Sequence, residues 1–352
     1  MLDSRKGAIL RAIVREYVRA GQAVGSKALT ETIGLGVSAA TVRNDMALLE
    51  ELGYISRPHS SAGGVPTDLG YRWFIDNWPG PAWPELPPGQ QRVIEDAFQS
   101  GFHALEEALN ATSQLLSEVT ESVAVVAAPP ARENRLRRLE LLARSDGRVG
   151  LLLIADTGLV EQGLIDVPEP LSDQQLADLG AHLTARLSGE ALEVVPARLA
   201  AIAEHTGPTG VVPRIAAEVG RVVSGSVWER IYRGGTANIL SREKFSDLET
   251  AHGVVGAIER PPVLATLMAE ARESRPGSGT LVVLIGQENP IQQMQVCATI
   301  LAPYGSNVPG EGPAHRGMVA VIGPTRMDYP YTISAVNLVV RSLSGLLDEL
   351  AS

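Results

Sequence analysis

The stretch VSAATVRNDMALLEELGYI, residues 37–55, contains a helix whose outer side chains are short or well suited to hydrogen bonding. Ser38 can cap this helix, which is predicted to run to about Leu52. Val42, Met46 and Leu49 share one face and must be the side that packs on the domain. The opposite side shows Ala39, Ala40, Arg43, Asn44 and Ala47.

Such a face suits the major groove of DNA. Short residues let a helix lie deep in the groove, where long or acidic side chains would strike phosphates. Arginine matches guanine O6 and N7, and asparagine matches adenine N6 and N7. We interpret the N-terminal half of this helix as a surface that reads bases; the alternative is an exposed helix with ordinary surface residues.

The segments around this helix predict a winged helix-turn-helix. Before it lie an amphipathic helix that Gly21 can stop and a short helix, SKALTETI, that Ser26 can cap. After Gly53, YISRP reads as a strand, HSSAGG as a loop tip, and VPTDLGYRW as a return into a helix that Thr67 can cap. Three short helices followed by a β-loop are typical of a winged helix.

The candidate DNA contacts therefore fall on two elements. On the helices they are Lys27, Ser38, Ala39, Thr41, Arg43 and Asn44. On the wing they are Arg57, His59, Ser60 and Ser61, which could reach phosphates or the minor groove. For His59 the alternative is a turn residue that packs on its neighbour.

Composition and charge leave a DNA-binding role open. The chain has 352 residues, 45% apolar and 20% charged, which is ordinary for soluble globular domains. Its single cysteine, the lack of a secretory start and the shortness of its apolar runs predict a cytoplasmic protein with no membrane span. The net charge is −10, but residues 1–78 hold nine Lys and Arg against eight Asp and Glu, so the acidity lies in the rest.

The remaining chain predicts an α+β region with a helical insertion. Residues 79–90 form a Pro-rich linker, with five prolines between Trp78 and Gln90. One long amphipathic helix is expected over 91–120, and strands in hairpin order over about 122–167. We place helices over 171–231, then a helix at about 260–273, three strands and a final helix within 232–352. The alternative is three domains in series.

A leucine stripe in the helical block is a candidate dimer surface. Leu176, Leu179, Leu183 and Leu187 line one face of a helix that begins with a Ser172/Gln175 capping box. The alternative is that the stripe belongs to the core of its own domain.

Several motifs together resemble the HrcA family of heat-inducible transcription repressors. They are GQAVGSKALTE, VSAATVRNDMALLEELGYI, RPHSSAGGVPTDLGYR, GGTANIL at 234–240, LIGQENP at 284–290 and GMVAVIGPTRMDYPYTISAV near the C-terminus. The resemblance implies a dimeric repressor with a winged helix at 1–78 and a GAF-like domain over 91–170 and 232–352. It also implies that 171–231 is an inserted dimerising domain, that the operator is the CIRCE inverted repeat of chaperonin operons, and that the GroEL chaperonin modulates activity.

Two wing positions depart from the family pattern. A basic residue is usual where this chain has Gly64, and lysine is usual where it has Leu69. Both changes remove positive charge, so we expect fewer phosphate contacts and a weaker dependence of binding on salt.

Catalytic chemistry has no support in the sequence. Its six histidines show no metal-ligand spacing, and nucleophile-elbow and phosphate-loop motifs are absent, so no cofactor is expected. The competing regulator is a winged-helix repressor with a small effector in its GAF-like domain. For that model Arg326, in the junction GPTRMDY, could help to bind an anion; the alternative is that Arg326 pairs with an acidic neighbour and fixes the junction.

Overall fold

The computed structural model shows an N-terminal helical domain with a β-hairpin, followed by two separate sheets with their helices. The structure describes residues 2–33, 38–57, 63–80, 82–99, 102, 105–128, 134–156, 158–206, 210–225, 230–240, 248–274, 281–305 and 317–351. None of the helices in these ranges is long and apolar enough to cross a membrane.

The N-terminal domain contains the predicted helices and hairpin. Its elements are α1 (Ser4–Ala20), α2 (Ser26–Ile33), α3 (Ala39–Glu51), β1 (Ile55–Ser56), β2 (Val65–Pro66) and α4 (Asp68–Asp76). Gly21 adopts the left-handed conformation, φ 68°, and its N–H donates to the carbonyl of Tyr17, which ends α1. Thr67 caps α4, because its hydroxyl accepts the N–H of Gly70. His59, Ser60 and Ser61 lie outside the described residues.

A five-stranded antiparallel sheet forms the centre of the C-terminal part. Its strands are β3 (Val123–Ala127), β7 (Ile231–Gly234), β8 (Val282–Ile285), β9 (Cys297–Tyr304) and β10 (Gly317–Pro324), in the order β7-β3-β10-β9-β8. One face packs on α6 (Leu105–Thr120) and α12 (Tyr329–Ala351), and α5 (Pro88–Gln99) packs on α12. The other face packs on α10 (Leu248–Ile258) and α11 (Pro261–Ser274). The central strands are therefore apolar on both faces.

The second sheet has three antiparallel strands and helices on one face. It contains β4 (Leu136–Ala143), β5 (Val149–Ala155) and β6 (Val160–Ile165). Helices α7 (Asp173–Leu187) and α9 (Val211–Gly225) pack on it, and α8 (Val195–Thr206) packs on α9. The strands expected over 122–167 thus divide between two sheets. β3 is buried on both faces, whereas β5 alternates between buried and partly exposed residues, which is the pattern of a sheet covered on one side.

Two helix predictions differ from the structure. The single helix expected over 91–120 is two helices, α5 and α6, and Phe102 between them is not helical. The sequence between them contains Ser100 and Gly101, which have low helix propensity. Helix α10 was not predicted, because Gly253 and Gly256 weaken its helical pattern.

The leucine stripe of α7 belongs to the interior of the chain. The predicted capping box is present, with the Ser172 hydroxyl accepting the N–H of Gln175. Leu176, Leu183 and Leu187 are at most 1% exposed, and the partly buried Leu179 packs against the same core. Since α7 packs on β4, Leu176, Leu183 and Leu187 are covered within the chain. The assignment of these three residues to a dimer surface is therefore wrong, and their periodicity is that of an intradomain core, whereas Leu179 is only partly buried.

Candidate nucleic-acid interface

The base-reading candidate α3 is held by a cap and by an ion pair. The Ser38 hydroxyl accepts the N–H of Thr41 at 3.2 Å and lies 3.0 Å from the Thr41 hydroxyl. On the inner side, Asp45 is 6% exposed and accepts two hydrogen bonds from the Arg5 guanidinium, at 2.8 and 3.2 Å. The Asp45 carboxylate raises the pKa of Arg5. This ion pair joins the first turn of α1 to the middle of α3. It fixes the orientation of α3 about its own axis.

The outward side of α3 presents the small and polar residues that the sequence indicated. Ala40, Arg43, Asn44 and Ala47 are exposed, and Ala39 and Thr41 are partly exposed. Val42, Met46 and Leu49 are buried with at most 2% exposure. No hydrogen bond or ion pair to another described residue occupies the Arg43 guanidinium. Arg43 and Asn44 are therefore exposed side by side in the N-terminal half of α3.

The other candidate contacts are arranged differently. Lys27 is exposed in the first turn of α2. Arg57 is directed back toward the end of α3, where its Nε lies 3.2 Å from the Glu50 carboxylate, and its side chain is only 19% exposed. A phosphate contact by Arg57 would thus have to compete with Glu50.

Gly64 lies at the base of the hairpin, inside the domain. Its N–H and carbonyl form hydrogen bonds with Val24, at 2.9 and 3.0 Å. A Cβ at this position would lie 2.9 Å from a methyl carbon of Ile55, so a larger residue requires that side chain to move. Leu69 is 49% exposed near the start of α4. The loss of a basic side chain at position 69 therefore affects the surface directly, whereas position 64 is tightly packed.

The N-terminal domain is attached to the large sheet through α4. The Arg72 guanidinium donates to both carboxylate oxygens of Glu288 and to the carbonyl of Val283. Burial opposes the charge of Arg72, but the hydrogen bonds and charge of Glu288 outweigh it and raise the pKa of Arg72. The N–H of Gln287 donates to Asp68 at 3.2 Å. No local sequence pattern indicates this attachment, because its partners lie more than 200 residues apart.

Two further contacts complete the junction. The rings of Tyr71 and Tyr329 lie 5.5 Å apart, which joins α4 to the start of α12. The Ser334 hydroxyl donates to the carbonyl of Pro84, so the Pro-rich segment also packs on α12.

Arg326 lies at this junction without the expected acidic partner. It is partly buried, and its guanidinium packs against Gly21, where any Cβ would collide with it. Among the residues that the structure describes, no carboxylate forms an ion pair with it. The start of α12 is instead occupied by Asp328, which accepts the N–H of Tyr331 at 3.1 Å.

Family comparisons identify the scaffold that carries α3. A family model for the HrcA protein C terminal domain matches residues 106–333, and one for a DeoR-like helix-turn-helix domain matches residues 12–65. The first match alone covers more than half of the chain. The chain belongs to the HrcA family.

Relatives in this family match along the whole chain. The heat-inducible transcription repressor HrcA of Streptomyces avermitilis is 40% identical over 351 residues, which cover 99% of this chain and 100% of the relative. That of Acidothermus cellulolyticus is 41% identical over 354 residues, with 99% and 100% covered. A crystal structure of a hypothetical protein is similar in fold, with a TM-score of 0.62, 23% identity and coverage of 99% and 100%. HrcA is a family of transcription repressors rather than of enzymes.

Proposed function

We propose that this protein is a dimeric transcription repressor that binds an inverted-repeat operator, CIRCE, upstream of chaperonin operons. The observation that carries this proposal is the exposed end of α3. Arg43 and Asn44 stand among short side chains in a helix-turn-helix domain, and that domain is joined to an HrcA C-terminal domain. Arginine and asparagine at such positions discriminate guanine and adenine in the major groove.

We infer a dimer because one helix-turn-helix domain contacts only a short stretch of DNA. One recognition helix reads few bases, whereas a two-fold dimer reads two half-sites a whole number of helical turns apart. A dimer requires a self-complementary surface. The candidate for it is the face of the three-stranded sheet that lies opposite α7 and α9. We call it the open sheet face. It carries Leu142, Leu152, Ile154, Val160 and Leu164.

The open sheet face has the properties of a subunit contact. Leu142, Val160 and Leu164 are 49%, 39% and 42% exposed, and Leu152 and Ile154 are partly exposed. The strand register sets Leu142 and Leu164 on either side of Gly150, and Val160 opposite Ile154. The register also places Arg138, Glu140 and Gln162 on this face, where Arg138 pairs with Glu140, and Glu140 and Gln162 flank Leu152. An exposed aliphatic patch bordered by polar side chains favours association with a partner. Since the same face on two copies can pair about a two-fold axis, it suits a homodimer.

The sheet division supports revised domain limits. We propose that the inserted dimerising domain spans 134–225 and includes β4–β6 together with α7–α9, because these elements pack on one another. The GAF-like domain then consists of the five-stranded sheet with α5, α6, α10, α11 and α12. The insertion leaves after β3 and returns before β7, which pair as neighbours.

Release of repression is proposed to follow from loss of the DNA-competent dimer. By family resemblance the GroEL chaperonin maintains that form, and unfolded protein that occupies the chaperonin would release the operon. Heating can add to this effect by lowering the population of folded dimer. Constant DNA affinity and dimer content through the induction temperature would exclude intrinsic heat sensing.

The test of the repressor proposal is a titration of labelled duplexes with the purified protein. Fluorescence anisotropy compares an inverted-repeat duplex with a scrambled one of equal length at several salt concentrations, with and without GroEL. We expect a preference for the inverted repeat of about 10³-fold or more, with two chains per duplex. Equal affinity for both duplexes under every condition would overturn the proposal.

A further inference from the structure

A cleft of about 820 Å³ lies at the junction between the DNA-binding domain and the large sheet. One wall comes from α1 and α4, and the other from the end of α6 and the turn between β10 and α12. Its volume is within the range of about 300–1,000 Å³ that is usual for small-molecule sites. The cleft is separate from the outward face of α3, which reads the bases in the proposed function.

The walls of the cleft offer an apolar and aromatic surface. Val14, Val18, Phe74 and Trp78 line the side of the DNA-binding domain, and Met327 and Tyr329 line the other side. Phe74 and Trp78 meet edge to face at 5.6 Å, and Trp78 stacks on Trp83 at 4.9 Å. These contacts hold the aromatic wall in place, so a flat or branched apolar group can pack on it without reordering the wall.

Two guanidinium groups in the cleft have no anionic partner among the described residues. Arg326 has no hydrogen bond or ion pair with any residue in the described ranges, although it is partly buried. Arg15 is exposed, stacks over the Trp78 ring at 5.6 Å, and forms no ion pair with a described carboxylate. By contrast, the third arginine of the lining, Arg19, already pairs with Glu16 at 2.8 Å. A partly buried arginine without an anion is costly, and a bound carboxylate would satisfy it.

The acidic side chains of the lining limit the charge of the occupant. Glu118, Glu121 and Asp328 also border the cleft. Asp328 is committed to the N–H of Tyr331, whereas Glu118 is exposed at the rim. The three carboxylates outnumber the two guanidinium groups that lack an ion-pair partner among the described residues, so each further negative charge on an occupant adds repulsion, and a single carboxylate is favoured over a multiply charged anion.

We propose that this cleft binds a small monocarboxylate with an aromatic or branched aliphatic body. The carboxylate accepts from Arg326 and Arg15, and the body packs between the Val18 and Trp78 side and the Met327 side. Because each domain supplies one wall, the affinity for such a ligand depends on how the two domains are placed.

Isothermal titration calorimetry of the full-length protein without DNA tests this proposal. The probes are 4-phenylbutyrate, indole-3-acetate and octanoate, and the neutral control is 4-phenylbutanol. We expect at least one carboxylate to bind one site per chain with a dissociation constant below about 1 mM. The alcohol should bind at least about tenfold more weakly, since it cannot accept two charged hydrogen bonds.

Substitutions of residues that line the cleft test whether the carboxylate binds there. Arg326→Gln should weaken the carboxylate about tenfold or more, whereas Arg341→Gln, at an exposed position of the same helix, should leave it unchanged. Val18→Trp should block the site by filling it, with the far-ultraviolet circular dichroism and melting transition confirming the fold. The proposal is overturned if none of the three carboxylates saturates below about 5 mM, if the alcohol binds equally well, or if Arg326→Gln and Val18→Trp bind like the wild type.

Discussion

Arg72 and Glu288 form an ion pair across 216 residues of sequence, and this pair ties the helix after the wing to the turn after β8. The same guanidinium donates to the carbonyl of Val283 at 2.5 Å, and Glu288 also accepts the N–H of Ile285 at 2.9 Å. This pair therefore joins the DNA-binding domain directly to the large sheet.

Removal of this pair should loosen the DNA-binding domain. Arg72→Gln loses a two-pronged charged interaction that is partly exposed, so we expect a loss of about 1 kcal/mol. Urea unfolding followed by tryptophan fluorescence reports it, because Trp73 and Trp78 lie on or next to α4. The urea midpoint of Arg72→Lys should fall between those of the wild type and Arg72→Gln, since lysine keeps the charge but cannot donate two parallel hydrogen bonds to the carboxylate. If Arg72→Gln shifts the midpoint no more than Arg92→Gln, an exposed arginine of α5, the pair does not stabilise the junction.

A charge on the open sheet face should weaken the proposed dimer. Leu164→Arg places a cation on the open sheet face, near the end of its edge strand β6, and we expect the dimer dissociation constant to rise about tenfold or more. Sedimentation equilibrium over a range of concentrations measures this change. Val93→Arg is the matched control, because Val93 is 51% exposed on α5, away from this sheet. A Leu164→Arg protein that dimerises as strongly as the control would place the interface elsewhere.

The attachment of α9 to β6 should depend on pH. The Arg221 guanidinium and the N–H of Leu164 both donate to Glu218 and hold the pKa of its carboxyl below the ordinary value of 4.5. A carboxyl with a lowered folded-state pKa stabilises the fold above its unfolded-state pKa, and this contribution is lost as the pH falls through the folded-state pKa.

Glu218→Gln should therefore lower stability at pH 7 by about 1 kcal/mol, and its difference from the wild type should shrink below about pH 4.5. Thermal melts between pH 3 and pH 7 give this comparison, with Glu169→Gln at an exposed site as the control. A difference that is constant over this range would show that the charge of Glu218 contributes nothing.

Local patterns predicted most helices and strands, but they did not predict what covers each face. The period of Leu176, Leu183 and Leu187 correctly indicated a helix, yet the same period is compatible with a dimer contact and with the core beneath it. Only the pairing of β4, β5 and β6 in a separate sheet showed that α7 is covered within the chain.

The features of α3 were accessible to sequence reasoning because its signals are local. The cap at Ser38, the buried positions at Val42, Met46 and Leu49, and the exposed Arg43 and Asn44 all lie within 12 residues. The supports of that helix were not accessible. Asp45 pairs with Arg5, 40 residues away, and the anchor of the domain pairs Arg72 with Glu288, so both depend on long-range packing.

The central claim is that Arg43 and Asn44 read bases, and one comparison tests it most directly. The affinities of the wild type and of the Arg43→Ala/Asn44→Ala double variant are measured by anisotropy on the inverted-repeat and scrambled duplexes, with GroEL present. Each contact contributes about 1 to 3 kcal/mol of base discrimination, so the double variant should lose a factor of about 30 or more in the ratio of the two affinities. Glu51→Ala, at the far end of α3, should keep the wild-type ratio. An unchanged ratio in the double variant would contradict the assignment of this helix to base recognition.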